Sequence, residues 1–317
     1  MGYAKAKHFD PRLIPVIDIA PLCDGTDPIG VSKSLHEASQ NTGFIYIKGH
    51  GISNSTIDKA RETALQFFRS KENDKLSVAV TDRHRGWLGP NRSKMRDDVR
   101  SDLKESFIWG AENKNSNLDC DLYIFGDNKW PAFLPEMKEP AQEYFNQAQI
   151  IACHLLRGFA LGLGLQENFF LQNITHPLSR ASYVYYPQQL ESMGEEQFGA
   201  GPHTDFGVLT VLCQDNVGGL QIKDLDDEWV YAPPIDGTLI VNVGDLLARW
   251  TDGFYRSTPH RVINQSNQER LSLVLAFDPN AETMIDPRTI FGSEHVSKEE
   301  PISCGDYLTW RFNKAFS

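Results

Sequence analysis

The chain has 317 residues, 40% of them hydrophobic, 11% aromatic and 23% charged, a balance that excludes disordered, collagen-like and disulfide-scaffold chains. Its 31 Lys and Arg against 42 Asp and Glu give a net charge of −11, and an acidic surface repels phosphate backbones and anionic lipid headgroups, so neither nucleic acid nor a membrane is an expected partner. No apolar run approaches the ~20 residues of a membrane span, no apolar leader follows Lys5, Lys7 and His8, and the scattered Cys23, Cys120, Cys153, Cys213 and Cys304 form no CxxC pair, which together predict a cytoplasmic protein with reduced thiols.

Residues 16–19 and 44–47 read as short strands, with a helix from about 30 to 40 between them. A second helix is expected to start near Ser55, capped by that hydroxyl with Asp58 in its first turn, and to bury Ile57, Ala60, Ala64, Leu65 and Phe68. A longer helix covers about 140–163, with Tyr144, Ala148, Ile151, Leu155 and Phe159 on one face and Gly162 and Gly164 at its end. From Ser182 the texture changes. Segments 183–186, 208–213, 219–222, 228–231, 238–243, 260–263 and 271–277 are short and strand-like, separated by Gly, Asn, Asp and Pro, a pattern of sandwiches, jelly rolls and barrels. Tyr307, Trp310, Phe312 and Phe316 follow a helical spacing and are expected to pack. The expected organisation is an N-terminal mixed region (1–125), a supporting helix and connection (126–180), a β core (181–285) and a helical tail (286–317), with no linker composition between them.

Three groups in the β region ask for a joint explanation. In Pro202-His203-Thr204-Asp205, positions i and i+2 of an extended chain share a face, so His203 and Asp205 can reach one point. His260 follows on another strand, after Ser257-Thr258-Pro259. Two imidazoles and one carboxylate are the set that holds non-haem Fe(II) while leaving positions open. Arg270-Leu271-Ser272 then sets a guanidinium and a hydroxyl on one face, a clamp for a carboxylate. Singly, each residue is more often a hydrogen-bonded core histidine or a surface ion pair. Together they put polar groups into an apolar core, where an unpartnered charge costs several kcal/mol. His8-Phe9-Asp10 repeats the spacing in a floppy-looking tail without strand context and is given no role. A zinc hydrolase also uses two His and a carboxylate, but the chain has no HExxH.

The motifs resemble those of the isopenicillin N synthase-like group of Fe(II)/2-oxoglutarate-dependent dioxygenases over nearly the whole chain. They include Ile14-Pro15-Val16-Ile17-Asp18, Gly43-Phe44-Ile45-Tyr46, Lys104-Glu105-Ser106-Phe107, Tyr185-Tyr186-Pro187 and Val243-Gly244-Asp245-Leu246-Leu247, besides the segments around His203, His260 and Arg270. The resemblance implies a mainly β fold with α: a double-stranded β-helix (jelly-roll) core carrying an N-terminal helical region. It implies iron held by His203, Asp205 and His260, and the distal carboxylate of 2-oxoglutarate held by Arg270 and Ser272 with help from Tyr186. Val184 stands where family members often carry Asn. The implied cofactors are Fe(II), with 2-oxoglutarate and dioxygen as co-substrates. The implied reaction is oxidation, hydroxylation first, of an unactivated C–H bond in a small-molecule substrate, with release of succinate and carbon dioxide. A same-fold oxidase that does not consume 2-oxoglutarate and a non-catalytic ligand-binding sensor stay open, since related oxidases hold other carboxylates with the same pair. A monomer is compatible with the sequence.

For the substrate, residues 83–96 carry Arg83, Arg85, Arg92, Lys94 and Arg96 with Trp87 and no acid, just before the 104–107 motif. The run reads first as a surface stretch balanced by Asp97, Asp98, Asp102 and Glu105, and second as an anion-recognising wall over the metal; on the second reading at least one of Arg85, Trp87 and Phe107 is expected to touch substrate. The segment 188–201, with Gly194, Gly199 and Gly201, is placed to act as a lid, or is a solvated loop of no special role. Cys213 reads as a small core residue, and His50, His154 and His176 show no partner pattern.

Overall fold

The computed structural model describes residues 6–90, 103–112, 126–188, 199–264, 266 and 268–316. Strands β1 (Val16–Asp18) and β2 (Phe44–Lys48) enclose helices α1 (Ala20–Cys23) and α2 (Pro28–Asn41); helices α3 (Asn54–Phe68) and α4 (Glu72–Leu76) lead to β3 (Gly86–Leu88) and β4 (Glu105–Gly110). The long α5 (Lys138–Gly162) precedes β5 (Arg180–Tyr186), β6 (Ala200–His203), β7 (Leu209–Cys213), β8 (Leu220–Lys223), β9 (Trp229–Tyr231) and β10 (Leu239–Val243). Helix α6 (Asp245–Trp250) is followed by β11 (His260–Val262), β12 (Arg270–Phe277), β13 (Met284–Ile285), α7 (Arg288–Phe291), β14 (Ile302–Ser303) and α8 (Cys304–Phe316).

An eight-stranded sheet in the order β1-β2-β10-β7-β12-β5-β4-β3 is joined by a four-stranded sheet, β6-β11-β8-β9. Strands of the N-terminal region therefore extend both edges of the large sheet. Side chains on these strands alternate between two cores, as a pleat with period 2 demands. Ile45, Ile47, Phe107, Tyr183, Val211, Val241, Leu273 and Leu275 join the core that takes in α2, α3 and α5. Phe44, Tyr46, Tyr186 and Ile240 point the other way and meet Leu220, Ile222, Val230 and Val262 of the small sheet. The second face is the interior of the jelly roll, and it is where polar residues enter. On the helical side, Tyr144, Ala148, Ile151, Leu155 and Phe159 of α5 are all buried. No helix among the described residues is long and apolar enough to cross a membrane.

Several local expectations change. The cap of α3 is Ser53, whose hydroxyl accepts from the Thr56 N–H at 3.1 Å, two residues before Ser55. The tail around His8-Phe9-Asp10 is pinned down: Lys7 N–H donates to the Trp229 carbonyl at 2.8 Å, and the Phe9 ring packs edge-on to Tyr46 at 5.7 Å. On α8, Tyr307 and Phe312 are buried but Trp310 is exposed. The extended segment expected from Pro202 to Asp205 is shifted: β6 runs Ala200–His203, where Gly and Pro are poor strand formers and pairing with β11 imposes the extended form. Arg92, Lys94, Arg96, Cys120 and most of 188–201 lie outside the described residues.

Candidate active site

His203 ends β6 and His260 begins β11, and the two are direct partners in the antiparallel register, with ring centroids 4.3 Å apart. The Nδ1 of His203 is 2.7 Å from the Gly201 carbonyl and that of His260 is 3.3 Å from the Thr258 carbonyl. A carbonyl can only accept, so each Nδ1 carries the proton and each Nε2 offers a lone pair. Both Nε2 atoms turn to Asp205 Oδ1, at 3.9 Å from His203 and 3.7 Å from His260. These distances exceed a hydrogen bond, yet two ligand bonds of about 2.1 Å to a shared cation can span them. The ligand atoms all lie within 4.8 Å of one another.

Asp205 sits past the end of β6, so a turn rather than strand alternation delivers its carboxylate. Its Oδ2 accepts from Asn242 Nδ2 at 2.8 Å, and its carbonyl accepts from the Asp245 N–H at 2.7 Å. The turn lies so close to Gly244 that a Cβ there would stand 2.1 Å from the Gly207 carbonyl oxygen. Burial, with His260 beside it, pushes the His203 imidazole down to about 4. Burial alone would raise the Asp205 carboxyl, but His260, His203 and the hydrogen bonds of Thr210 and Asn242 outweigh it and hold the group at about 2. Both side chains are thus in their metal-binding protonation state at neutral pH.

Arg270 and Ser272 lie on the jelly-roll face of β12, opposite Tyr186 and Val184 of β5. Arg270 is 1% exposed. Its Nε donates to the Gly218 carbonyl at 2.6 Å and its Cζ lies 4.7 Å over the Tyr186 ring. Nη1, Nη2 and the Ser272 hydroxyl are buried without a partner. A guanidinium edge and a hydroxyl left unsatisfied in the interior match a carboxylate bound in two-pronged fashion. The same cavity, about 240 Å³, reaches the His203, Asp205 and His260 side chains. A dicarboxylate held by Arg270 at one end can therefore present its other end to a metal, and the residues present fit both groups.

Asp245, at the head of α6, joins the site through tertiary contacts alone. Its carboxylate accepts from Thr204 Oγ1 at 3.1 Å and Ser257 Oγ at 2.6 Å, and pairs with Arg311 of α8 at 2.8 Å. It ties together the turn between His203 and Asp205, the approach to His260 and the C-terminal helix. Nothing in the local spacing around 243–247 discloses partners so distant in sequence.

The three residues expected at the substrate are placed elsewhere. Trp87 and Phe107 are register partners across β3 and β4, on the face turned to the helices. Trp87 Nε1 donates to Glu105 at 2.8 Å, and Phe107 packs against Phe67 and Trp130 at 4.9 and 5.8 Å. Arg85 is buried and donates to the His84 carbonyl at 3.1 Å. The cavity receives their neighbours Lys104 and Ser106 instead, with Arg180, Ser182 and Phe312. Neighbouring residues of one strand face opposite ways, so Ser106 reaches the cavity where Phe107 cannot.

Comparison with known proteins gives a consistent picture. The profile of the 2OG-Fe(II) oxygenase superfamily matches residues 175–279, and that of the non-haem dioxygenase in morphine synthesis N-terminal region matches 14–133. Homoarginine-6-hydroxylase from Glycine max is 33% identical, over 86% of this chain and 88% of its own length. Validamycin A dioxygenase from Streptomyces hygroscopicus subsp. limoneus is 33% identical, over 86% of this chain and 79% of its own. The crystal structure of a full-length Neurospora crassa protein in complex with alpha-KG superposes with a TM-score of 0.85 at 30% identity, over 95% of this chain and 96% of that one. The same Neurospora crassa protein in complex with alpha-KG and thymine gives a TM-score of 0.84 at 29% identity, over 95% and 96%.

Proposed function

The chain belongs to the 2OG-Fe(II) oxygenase superfamily, and from that premise we propose that His203, Asp205 and His260 hold its ferrous ion, that Arg270, Ser272 and Tyr186 hold 2-oxoglutarate, and that substrate lodges beside Lys104, Ser106 and Arg180. The protein is an Fe(II)- and 2-oxoglutarate-dependent dioxygenase acting on a small molecule. The observation that carries the residue assignments is one cavity with two unsatisfied sets: Nε2 lone pairs turned to a carboxylate, and a buried guanidinium edge with no partner.

Each residue has a definable task. The Gly201 and Thr258 carbonyls fix the tautomers of His203 and His260. Asn242 occupies one oxygen of Asp205 and leaves the other for the metal. Arg270 and Ser272 anchor the far carboxylate of the co-substrate and so aim its keto end at the metal. Leu212, Leu220 and Val262 line the cavity with hydrocarbon and exclude water. When bound, Fe(II) and 2-oxoglutarate supply the oxidising power, decarboxylation of the co-substrate activating dioxygen for attack on a substrate carbon. Hydroxylation is the outcome we propose. Relatives named for homoarginine and validamycin A, and a neighbour solved with thymine, support a small molecule without pointing to one kind.

Anaerobic titration of metal-free protein with Fe(II) and then 2-oxoglutarate tests the reading. A visible charge-transfer band that grows to one-to-one stoichiometry is expected; iron binding without the band would overturn the 2-oxoglutarate assignment. Succinate formed in step with product separates this reading from a same-fold oxidase, which would form product without it.

A further inference from the structure

Arg180 and Tyr186 stand at opposite ends of β5 and present side chains to the same cavity. In the β5–β12 register Tyr186 faces Arg270, whereas Arg180 faces Ala276. Six residue steps of strand separate the two ends, roughly 20 Å. A five-carbon dicarboxylate anchored on Arg270 and directed at the metal does not extend to Arg180. Whatever Arg180 receives is a second molecule.

Among the described residues, the surroundings of Arg180 hold more positive than negative charge. Its side chain is 11% exposed, and Arg85 is buried beside it. Among the described residues the acidic group paired with it is Asp278, 3.6 Å from Arg180 Nη2. One oxygen of Asp278 is already taken by the Val208 N–H at 3.0 Å. The Asp205 charge is also felt at Arg180, but that carboxylate is turned to the two histidines. The Nε atoms of Arg180 and Arg85 are both buried without a partner. The two guanidinium groups repel: burial lowers the affinity of each for its proton, and for Arg85 the nearby Arg180 adds to the effect. Among the described residues, two buried cations face one paired carboxylate, an excess of positive charge in a low-dielectric site. The Phe312 ring lies 4.4 Å from Arg180 Cζ, an apolar surface next to the cationic head.

We propose that Arg180 determines specificity by binding a carboxylate of the primary substrate, whose apolar body rests against Phe312 with the reacting carbon turned toward the metal. This rests on the dioxygenase reading above and narrows it to a substrate class, small organic acids. Asp278 orients the guanidinium, and Arg85 behind it keeps the positive potential directed at the cavity.

The test uses full-length protein loaded anaerobically with Fe(II) and 2-oxoglutarate, and reads the chelate band while small molecules are added. The probes are matched pairs, phenylacetate against phenylacetamide and hexanoate against hexanamide. The acids are expected to perturb the band at concentrations at least tenfold below their amides. In Arg180→Gln the chelate forms as before, and the preference falls within twofold. Equal responses to acid and amide, no response to either from a chelate that forms, or a preference that survives in Arg180→Gln would each overturn the proposal. Failure to form the chelate in the wild type would overturn the parent reading, and this one with it.

Discussion

Arg311 on α8 reaches across to Asp245 at the head of α6, with 2.8 Å between Nη1 and Oδ2. The same carboxylate accepts from Thr204 and Ser257, one beside each histidine-bearing segment. The C-terminal helix, which brings Phe312 to the cavity, is thereby fastened to the two stretches that carry the proposed iron ligands.

Asp245→Ala removes the acceptor from both hydroxyls, and Asp245→Asn removes only the charge. Fe(II) affinity measured by titration should fall on the order of tenfold in Asp245→Ala and less in Asp245→Asn. Arg311→Met should leave iron binding near the wild-type value while hydrogen exchange along 304–316 quickens. Equal iron affinity in all four proteins would show that Asp245 does not position the ligands.

Arg270→Met should act in opposite directions on stability and on co-substrate binding. The unliganded protein holds a buried guanidinium with two nitrogens unpartnered, so an apolar replacement of similar length is neutral or stabilising. Loss of the charged partner of a buried carboxylate costs roughly 3–5 kcal/mol, so the 2-oxoglutarate requirement should rise by roughly two to four orders of magnitude. Thermal unfolding and chelate titration read the two effects separately.

Phe107 and Ser106 are neighbours on β4 with opposite duties. Phe107→Ala should destabilise the fold by about 3–5 kcal/mol, because it empties a site packed by Phe67 and Trp130. Ser106→Val alters the cavity wall and should change substrate dependence with little effect on stability. A large change in substrate dependence in Phe107→Ala, at temperatures where it stays folded, would restore Phe107 to the substrate site.

Gly244→Ala tests the packing of the metal turn. The added methyl meets backbone at Gly207 and must displace it, together with Asp205 nearby. A stability loss of about 1–3 kcal/mol and weaker Fe(II) binding are expected; calorimetry and titration measure them.

His84 links stability to pH. Burial, with Arg180 and Arg85 nearby, lowers its imidazole from 6.5 to about 3 in the folded protein. Between these values the unfolded chain binds a proton that the native state does not. The contribution of His84 is therefore complete above about pH 6.5 and is lost as pH falls toward 3, at up to about 1.4 kcal/mol per pH unit. His84 has φ of 55°, which Asn tolerates, so His84→Asn isolates the titration. Denaturant unfolding across this window should show a shallower acid slope in the variant; identical slopes would refute the assignment.

A β core of sandwich, jelly-roll or barrel type, the long α5, and the polar set His203, Asp205, His260, Arg270 and Ser272 were legible in the residue pattern, because strand alternation and helical spacing are local and chemistry-bearing side chains stand out in an apolar run; the choice of the jelly roll came with the family resemblance. The face of β4 was not. Lys104-Glu105-Ser106-Phe107 alternates, but which half faces the cavity depends on Trp87 pairing with Phe107 and on α3 covering them, contacts remote in sequence. The bounds of the strand carrying His203, Ala200 to His203 rather than onward to Asp205, likewise came from β11, which stands opposite it and sets His260 against His203. Asp245 and Arg180 owe their significance wholly to tertiary structure. A carboxylate becomes a junction, and an arginine a buried cation facing a cavity, only once folding has chosen its neighbours and withdrawn them from water.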